Sequence, residues 1–324
     1  MSPALQLVPL LEPIREDLER VDGLLYQTVA EAGEPLSSRL LALLSPGKRL
    51  RPALVILIGQ VFGAGGSPFQ CLAAAVEMLH CATLIHDDLV DDSAVRRGQH
   101  TLHTLWPAGA TVLAGDFLLA RSVALVAELG RPRIVRVLAQ SLCTISTGEI
   151  RRLLVTDDTG NQRQQYHSTI EAKTASLFGA IAEMAGILAG AEEIHITALH
   201  RFGLELGMAF QIVDDILDLT GDESRLGKPV GGDLRQGLVT LPVIYYLEQV
   251  SGDTAVQAVL SGQRDEEHVR AAIEAIRSSA AIEGAFSDAR AHIRRSQEAL
   301  GLVPANAPRE TLSALSDYVV DRWH

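Results

Sequence analysis

Three cysteines among 324 residues give no disulfide framework, because an odd and sparse set cannot pair into one. Cys71, Cys81 and Cys143 also lack zinc-binding spacing. Their scarcity suits a reducing cytoplasm, and Cys81 lies in an apolar stretch of the kind that buries small thiols. Positive charge is short too. Lys and Arg number 28 against 40 Asp and Glu, for a formal net charge of -12. Such a surface repels nucleic acid and anionic lipid, so no nucleic-acid partner is expected. Long apolar runs are missing. Unbroken stretches such as Ala53 to Ile58 fall far short of the roughly 20 residues that a spanning helix needs. The opening MSPALQLVPLLEPIREDLER lacks a basic start and meets acids early, so it does not read as a signal peptide. Alternating strand patterns bounded by hairpin turns are absent as well.

What is present is helical periodicity in a chain that is 47% hydrophobic, ample for a core. Leu5, Val8, Leu11, Ile14, Leu18 and Val21 recur every three or four residues, as one face of a helix does. Pro52 suits the first position of a helix. Long helical segments are expected around 68–92, 109–130, 132–155, 163–189 and 195–220. Glycine and proline mark loops at 45–47, 63–68 and 221–237. Shorter amphipathic helices follow 238, one starting at Ala307-Pro308-Arg309-Glu310. With no linker or low-complexity tract, residues 1–324 read as a single all-α domain.

Two short acidic motifs echo each other. One is Leu84-Ile85-His86-Asp87-Asp88-Leu89-Val90-Asp91-Asp92; the other is Phe210-Gln211-Ile212-Val213-Asp214-Asp215-Ile216-Leu217-Asp218. Both have the form DDxxD, whose acids share one face of a helix. Asp87, Asp88 and Asp91 thus form one carboxylate patch, and Asp214, Asp215 and Asp218 another. Apolar flanks (Leu84, Ile85, Leu89 and Val90; Ile212, Val213, Ile216 and Leu217) make these carboxylates costly unless something positive compensates them. A single such motif would read as acids facing water. Two copies on long apolar helices favour hard divalent cations, and magnesium takes oxygen ligands together with substrate phosphates. The all-carboxylate set argues against zinc.

Basic residues answer the acids. Gly47-Lys48-Arg49-Leu50-Arg51-Pro52 packs three cations into four positions, Arg96-Arg97-Gly98 follows the first cluster, and Lys173-Thr174 and Gly227-Lys228-Pro229 add more. Both arginine forks and lysine point charges bind phosphate. Acid clusters and basic groups alternating through one chain suit a diphosphate site with metals.

At these residues the chain resembles the trans-isoprenyl diphosphate synthases, specifically the polyprenyl diphosphate synthase family. The matching strings run from Gly47 to Pro242: GKRLRP (47–52), HDDLVDDSAVRRG (86–98), LAGDFLLAR (113–121), GEI (148–150), KTASLF (173–178), GMAFQIVDDILD (207–218) and GKPVGGDLRQGLVTLP (227–242). The resemblance implies a bundle of long antiparallel helices around a central cavity, of the isoprenoid synthase type, usually as a homodimer, with three Mg²⁺ ions at each active site. Asp87, Asp91 and Asp214 would be the principal metal ligands, while Asp88, Asp215 and Asp218 would ligate or orient metal-bound water. Arg96, Lys173 and Lys228 would grip the allylic diphosphate; Lys48, Arg51, His80 and Arg97 would grip isopentenyl diphosphate. Thr174 and Gln211 would lie near the developing cation. By itself His80, one histidine on an apolar helix, would read as a core residue. Asp116 and Glu149 read as structural or supporting groups. Three positions depart from the family: Leu238 where Gly-Lys is common, Arg152 where glutamine is common, and His100 where proline is common.

The resemblance also implies the reaction: ionisation of an allylic diphosphate, attack by the isopentenyl double bond, and proton loss to the released pyrophosphate. The loop from Asp222 to Gly237 is a candidate lid. Met78, Ala82 and Thr83 lie where the family sets product length. Alanine at 82, where short-chain members tend to carry an aromatic, implies a product beyond geranylgeranyl. A greasy product could draw this soluble, cytoplasmic chain to a membrane surface. A short-chain farnesyl or geranylgeranyl diphosphate synthase is the alternative within the family, and three further rivals remain open at this point. A terpene cyclase would not need Lys48 and Arg51, a non-catalytic subunit tends to lose acids from one cluster, and a purely structural protein leaves both clusters unexplained.

Overall fold

A computed structural model describes residues 3–44, 47–96, 98–154, 162–221, 230–250, 252 and 254–321. Among them α1 (Pro3–Leu11), α2 (Arg15–Ala30), α3 (Leu36–Leu44), α4 (Leu50–Val61) and α5 (Ser67–Val90) come first. A two-residue hairpin, Val95–Arg96 paired antiparallel with Gln99–His100, leads to α6 (Leu102–Leu105), α7 (Ala108–Glu128) and α8 (Pro132–Leu154). Then come α9 (Gln162–Ile170), a π-helical turn (Glu171–Ala175), α10 (Ser176–Leu188) and α11 (Glu193–Thr220). The chain closes with α12 (Gly232–Gln236), α13 (Leu241–Gln249), α14 (Thr254–Leu260), α15 (Glu266–Arg277), α16 (Ala281–Leu300) and α17 (Ala307–Asp321). The architecture is all-α, as expected.

Several boundaries differ from the sequence expectation, each for a local reason. The first apolar stripe is split: a 3-10 turn at Glu12–Ile14 separates α1 from α2, and Val8 is 62% exposed. Pro52 is the third residue of α4, still within its first turn, and the helix N-cap is Arg49 in a left-handed conformation (φ 50°). The 163–189 segment is interrupted by the π turn, a rare element that clusters at functional sites. Within the expected 221–237 loop, Gly232–Gln236 forms a short helix. The lid expectation at 222–229 lies outside the described residues.

Two helices, α5 and α7, are long and apolar enough by length and composition to cross a membrane, which the search for unbroken runs missed. Scattered polar residues hide them from that search. α5 is 72% buried within the molecule over its apolar window, as a core helix is, and it carries Glu77, Asp87 and Asp88. α7 is only 39% buried.

The core is one hydrophobic cluster running through α2, α4, α5, α7, α10, α11, α16 and α17. α5 packs along α7, and α11 packs between α10 and α16. Two glycines set how closely these helices approach. A side chain at Gly115 on α7 would overlap the His86 imidazole of α5. A Cβ at Gly207 on α11 would stand 2.6 Å from the Ala175 Cα. Both glycines lie in the motifs that carry the acids or pack against them. Close approach therefore decides where the acids sit.

Arg49 pins the N-terminal helices together. Its guanidinium donates to Asp22 (2.8 Å), Glu77 (3.0 Å) and the Leu44 carbonyl (2.7 Å), with a side chain 10% exposed. The carboxylates beside it hold the guanidinium pKa above its ordinary value against the opposing effect of burial. Removing one partner of a buried pair leaves an uncompensated charge, which costs about 3–5 kcal/mol. Arg49→Met is therefore expected to lower unfolding free energy by about 3 kcal/mol, read from the chemical denaturation midpoint. A loss under half a kcal/mol would show that Glu77 and Asp22 find other partners.

Candidate active site

The first acid cluster caps α5. Asp87 and Asp88 lie in its last turn, and Asp91 follows it, its N–H donating to the Asp87 carbonyl at 2.8 Å. The second cluster occupies the last turns of α11. Each places at least one acid deep in the protein. Asp88 is 4% exposed, and Asp215 and Asp218 are 6% exposed. Asp214 faces solvent, and so does Val90, one of the expected apolar flanks.

Cations and donors answer these buried acids. Arg96 Nε donates to Asp88 Oδ1 at 2.7 Å. Lys173 Nζ stands 3.6 Å from Asp87, 3.9 Å from Asp91 and 3.5 Å from Glu149. Arg152 Nη2 lies 2.8 Å from Asp91 Oδ1 and 2.8 Å from Glu149 Oε2. Burial pushes the Asp87 carboxyl above its ordinary pKa, opposed by Lys173, and does the same to Asp88, opposed by Arg96. At Asp215 and Asp218 of the second cluster, neutral donors contribute. Tyr166 Oη donates to Asp215 Oδ2 at 2.6 Å, and Gln211 Nε2 donates to Asp215 Oδ1 at 2.8 Å. The Asp233 backbone N–H donates to Asp218 at 3.0 Å. Burial lifts the Asp215 pKa well above the carboxylate range, and nearby Asp233 adds to the rise.

The two clusters meet at the π turn. Its residues Lys173 and Thr174 are consecutive, yet they serve different clusters. Lys173 reaches Asp87 and Asp91, while Thr174 Oγ1 donates to Gln211 Oε1 at 2.8 Å. The Gln211 amide is thereby fixed, with its oxygen toward Thr174 and its nitrogen toward Asp215. Within this turn one side chain meets the first acid group directly and the next reaches the second through Gln211. Local periodicity gave no sign of this turn.

The cations of GKRLRP separate. Arg49 is the structural pin described above. Arg51 lies over the Phe178 ring (4.7 Å) and the Phe210 ring (5.9 Å), adjacent to Gln211 in sequence. Lys48 lies over Tyr318 of α17 at 5.5 Å. His80 is partly buried, and its carbonyl accepts from Thr83 Oγ1 at 2.8 Å. Met78 and Ala82 are buried, one turn apart on α5. Arg97 and Lys228 lie outside the described residues.

Sequence reasoning missed three contributors. Glu149, read as a supporting residue, belongs to the first cluster itself. Arg152, noted only as a departure, bridges Glu149 to Asp91. Tyr166 gave no signal; an isolated tyrosine ahead of an ordinary helical segment reveals nothing of its partner 49 residues away.

The donor set suits a hard divalent cation, since every acidic group offers oxygen. Glu149 Oε1 is buried and makes no hydrogen bond, an oxygen turned toward Lys173 with capacity for a cation. Among the described residues no three Asp, Glu, His or Cys side chains converge closely enough to enclose an ion by themselves. A magnesium-type ion here would take one or two carboxylates and complete its shell with water and phosphate oxygens.

Tyr166→Phe would leave Asp215 Oδ2 without its donor inside the protein. The expected cost is about 1–3 kcal/mol, read as a fall in unfolding free energy. An unchanged value would show that Gln211 alone holds Asp215.

The sequence profile of the Polyprenyl synthetase family matches residues 34–276. A nonaprenyl diphosphate synthase of Mycobacterium tuberculosis is 36% identical over 95% of this chain and 93% of its own length. Heptaprenyl diphosphate synthase component 2 of Geobacillus stearothermophilus is 36% identical over 95% of this chain and 97% of its own. The fold is similar to the crystal structure of a Caulobacter crescentus polyprenyl synthase complexed with calcium and isoprenyl diphosphate. That similarity has a TM-score of 0.87 and 35% identity over 98% of this chain and 97% of that one.

Proposed function

The chain belongs to the polyprenyl synthetase family, and from that premise we propose that its two acid clusters and the Lys173–Thr174 turn form the catalytic centre of a trans-prenyltransferase. The enzyme condenses isopentenyl diphosphate head-to-tail with an allylic diphosphate to make an all-trans polyprenyl diphosphate. The observation that carries the site reading is that consecutive residues of one π turn reach both groups, Lys173 directly at Asp87 and Asp91 and Thr174 through Gln211, which donates to Asp215.

In this reading the allylic diphosphate lies between the clusters, where Lys173 and Arg96 bind it, together with Lys228. Divalent ions, Mg²⁺ and three in number, would be held by Asp87, Asp91 and Asp214 with support from Asp88, Asp215 and Asp218, and would supply neutralising charge to the leaving diphosphate. The carbon–oxygen bond breaks with its electron pair leaving on the diphosphate. Arg51, held between Phe178 and Phe210, binds the isopentenyl diphosphate with Lys48, His80 and Arg97. It thus sets the second double bond beside the new cation, and positioning of this kind supplies much of the rate. Thr174 and the fixed Gln211 amide present oxygen dipoles to the cation. The buried Ile212, Val213 and Ile216 keep water from that region. The last proton passes to the released diphosphate.

With labelled isopentenyl diphosphate and an allylic primer, Asp87→Ala and Asp214→Ala are each expected to lower turnover about a hundred-fold or more. Full activity in both would remove the site assignment while leaving family membership intact. Products of medium to long chain are expected, beyond geranylgeranyl, as for the nonaprenyl and heptaprenyl relatives. Ala82→Phe should shift them shorter, and an unchanged ladder would place the tunnel elsewhere.

A homodimer fits the exposed side of α7. Leu113, Asp116, Ala120, Val123 and Ala127 face out at alternating steps of three and four residues, the seam a partner helix needs. The Geobacillus stearothermophilus relative is named as component 2 of its synthase, which makes a different second subunit the rival occupant. Light scattering of the purified chain should give twice the chain mass, and Ala120→Glu should give the monomer. The acidic, cysteine-poor chain suits the cytoplasm, with contact at a membrane surface for product release.

A further inference from the structure

Arg152 is the one cation at the first cluster that the reaction scheme above leaves without work. It sits in the last turn of α8, 23% exposed at its side chain. Its Nη2 donates to Asp91 Oδ1 at 2.8 Å, and its Nε donates to Glu149 Oε2 at 2.9 Å. One guanidinium therefore ties a carboxylate at the end of α5 to a carboxylate of α8. Asp91 is 22% exposed and Glu149 15%, so water screens the contacts only in part.

The local charges nearly cancel. Asp87, Asp88, Asp91 and Glu149 carry four negative charges, and Arg96, Lys173 and Arg152 carry three positive ones. A free divalent ion approaching this cluster meets little net attraction. It must also compete with a guanidinium for Asp91. A diphosphate changes that balance, because its oxygens accept the same fork of donors that Arg152 gives to the carboxylates.

Resting on the site reading above, we propose that Arg152 is a positioning residue that couples cation loading to diphosphate arrival, by holding Asp91 against Glu149 until a diphosphate takes the guanidinium. A glutamine in its place would hydrogen-bond without charge. The cluster would then carry two more negative charges than its remaining cations offset, and would bind a divalent ion before substrate arrives.

The test is titration of the full-length, substrate-free protein with Mn²⁺, followed by calorimetry or by the free-ion paramagnetic resonance signal. Arg152→Gln is expected to bind Mn²⁺ about ten-fold more tightly than the parent, a difference of about 1.4 kcal/mol. Arg152→Lys, which keeps the charge, should stay within about two-fold of the parent. In an Asp91→Asn background the gain from Arg152→Gln should shrink, because the contested oxygen has lost its charge. A protein in which Arg152 served only packing would show none of this pattern. Equal or weaker Mn²⁺ binding in Arg152→Gln, or a gain of equal size in Arg152→Lys, overturns the proposal. Asp87→Asn separates the two levels: if it abolishes Mn²⁺ binding while the Arg152 series stays flat, this inference fails and the site reading stands. If Asp87→Asn placed in the Arg152→Gln protein, where Mn²⁺ binding is expected to be tightest, leaves that binding unchanged, the site reading itself fails.

Discussion

Carboxylates set among aliphatic side chains are expensive, and the organisation of this molecule follows from how that cost is met. Asp88, Asp215 and Asp218 are almost wholly withdrawn from water. Each is stabilised by a donor from another element: Arg96 from the hairpin, Tyr166 from α9, and the Asp233 backbone from α12. These contacts tie the surrounding segments to the ends of α5 and α11. The acids most open to a ligand, Asp87, Asp91 and Asp214, stand on this fixed base.

The two clusters use different chemistry for that purpose. The first is counter-charged by Arg96, Lys173 and Arg152; the second relies in part on neutral donors, with both oxygens of Asp215 accepting from Tyr166 and Gln211. Neutral donors bring no positive charge of their own, whereas cations offset the charge of the acids they meet. The first cluster thus has the cations that the proposed scheme passes to an arriving anion. The second keeps its acids beside a fixed amide, with burial favouring the neutral form of Asp215. In the proposed reading, a site that binds an anion, breaks it from carbon and releases it again gains from having one cluster of each kind.

Much of this was legible along the chain. The paired DDxxD motifs, their apolar flanks and the interspersed basic groups follow from helical spacing and from the cost of burying charge. Glycines such as Gly115 and Gly207 belonged to recognisable strings, although their purpose, close helix approach, became clear only in three dimensions. Other features left no local trace. The roles of Arg49 and Arg51 could not be separated by composition, because neighbours in sequence point to opposite neighbourhoods in space. Periodicity also failed to reveal that α5 and α7 have similar apolar character but different burial.

The sequence by itself determined the class of chemistry and the helical architecture, because both depend on residue types at short spacing: acids one turn apart, apolar positions every three or four residues, basic strings between them. Only the tertiary structure decided which cation answers which acid. The π turn sends Lys173 and Thr174 to different clusters, Arg152 reaches Asp91 across 61 residues, and Tyr166 reaches Asp215 across 49. Such pairings depend on the packing of α8 against α10 and the π turn, and of α9, α10 and the π turn against α11, and a charge carries no mark in the sequence of the distant partner it will meet.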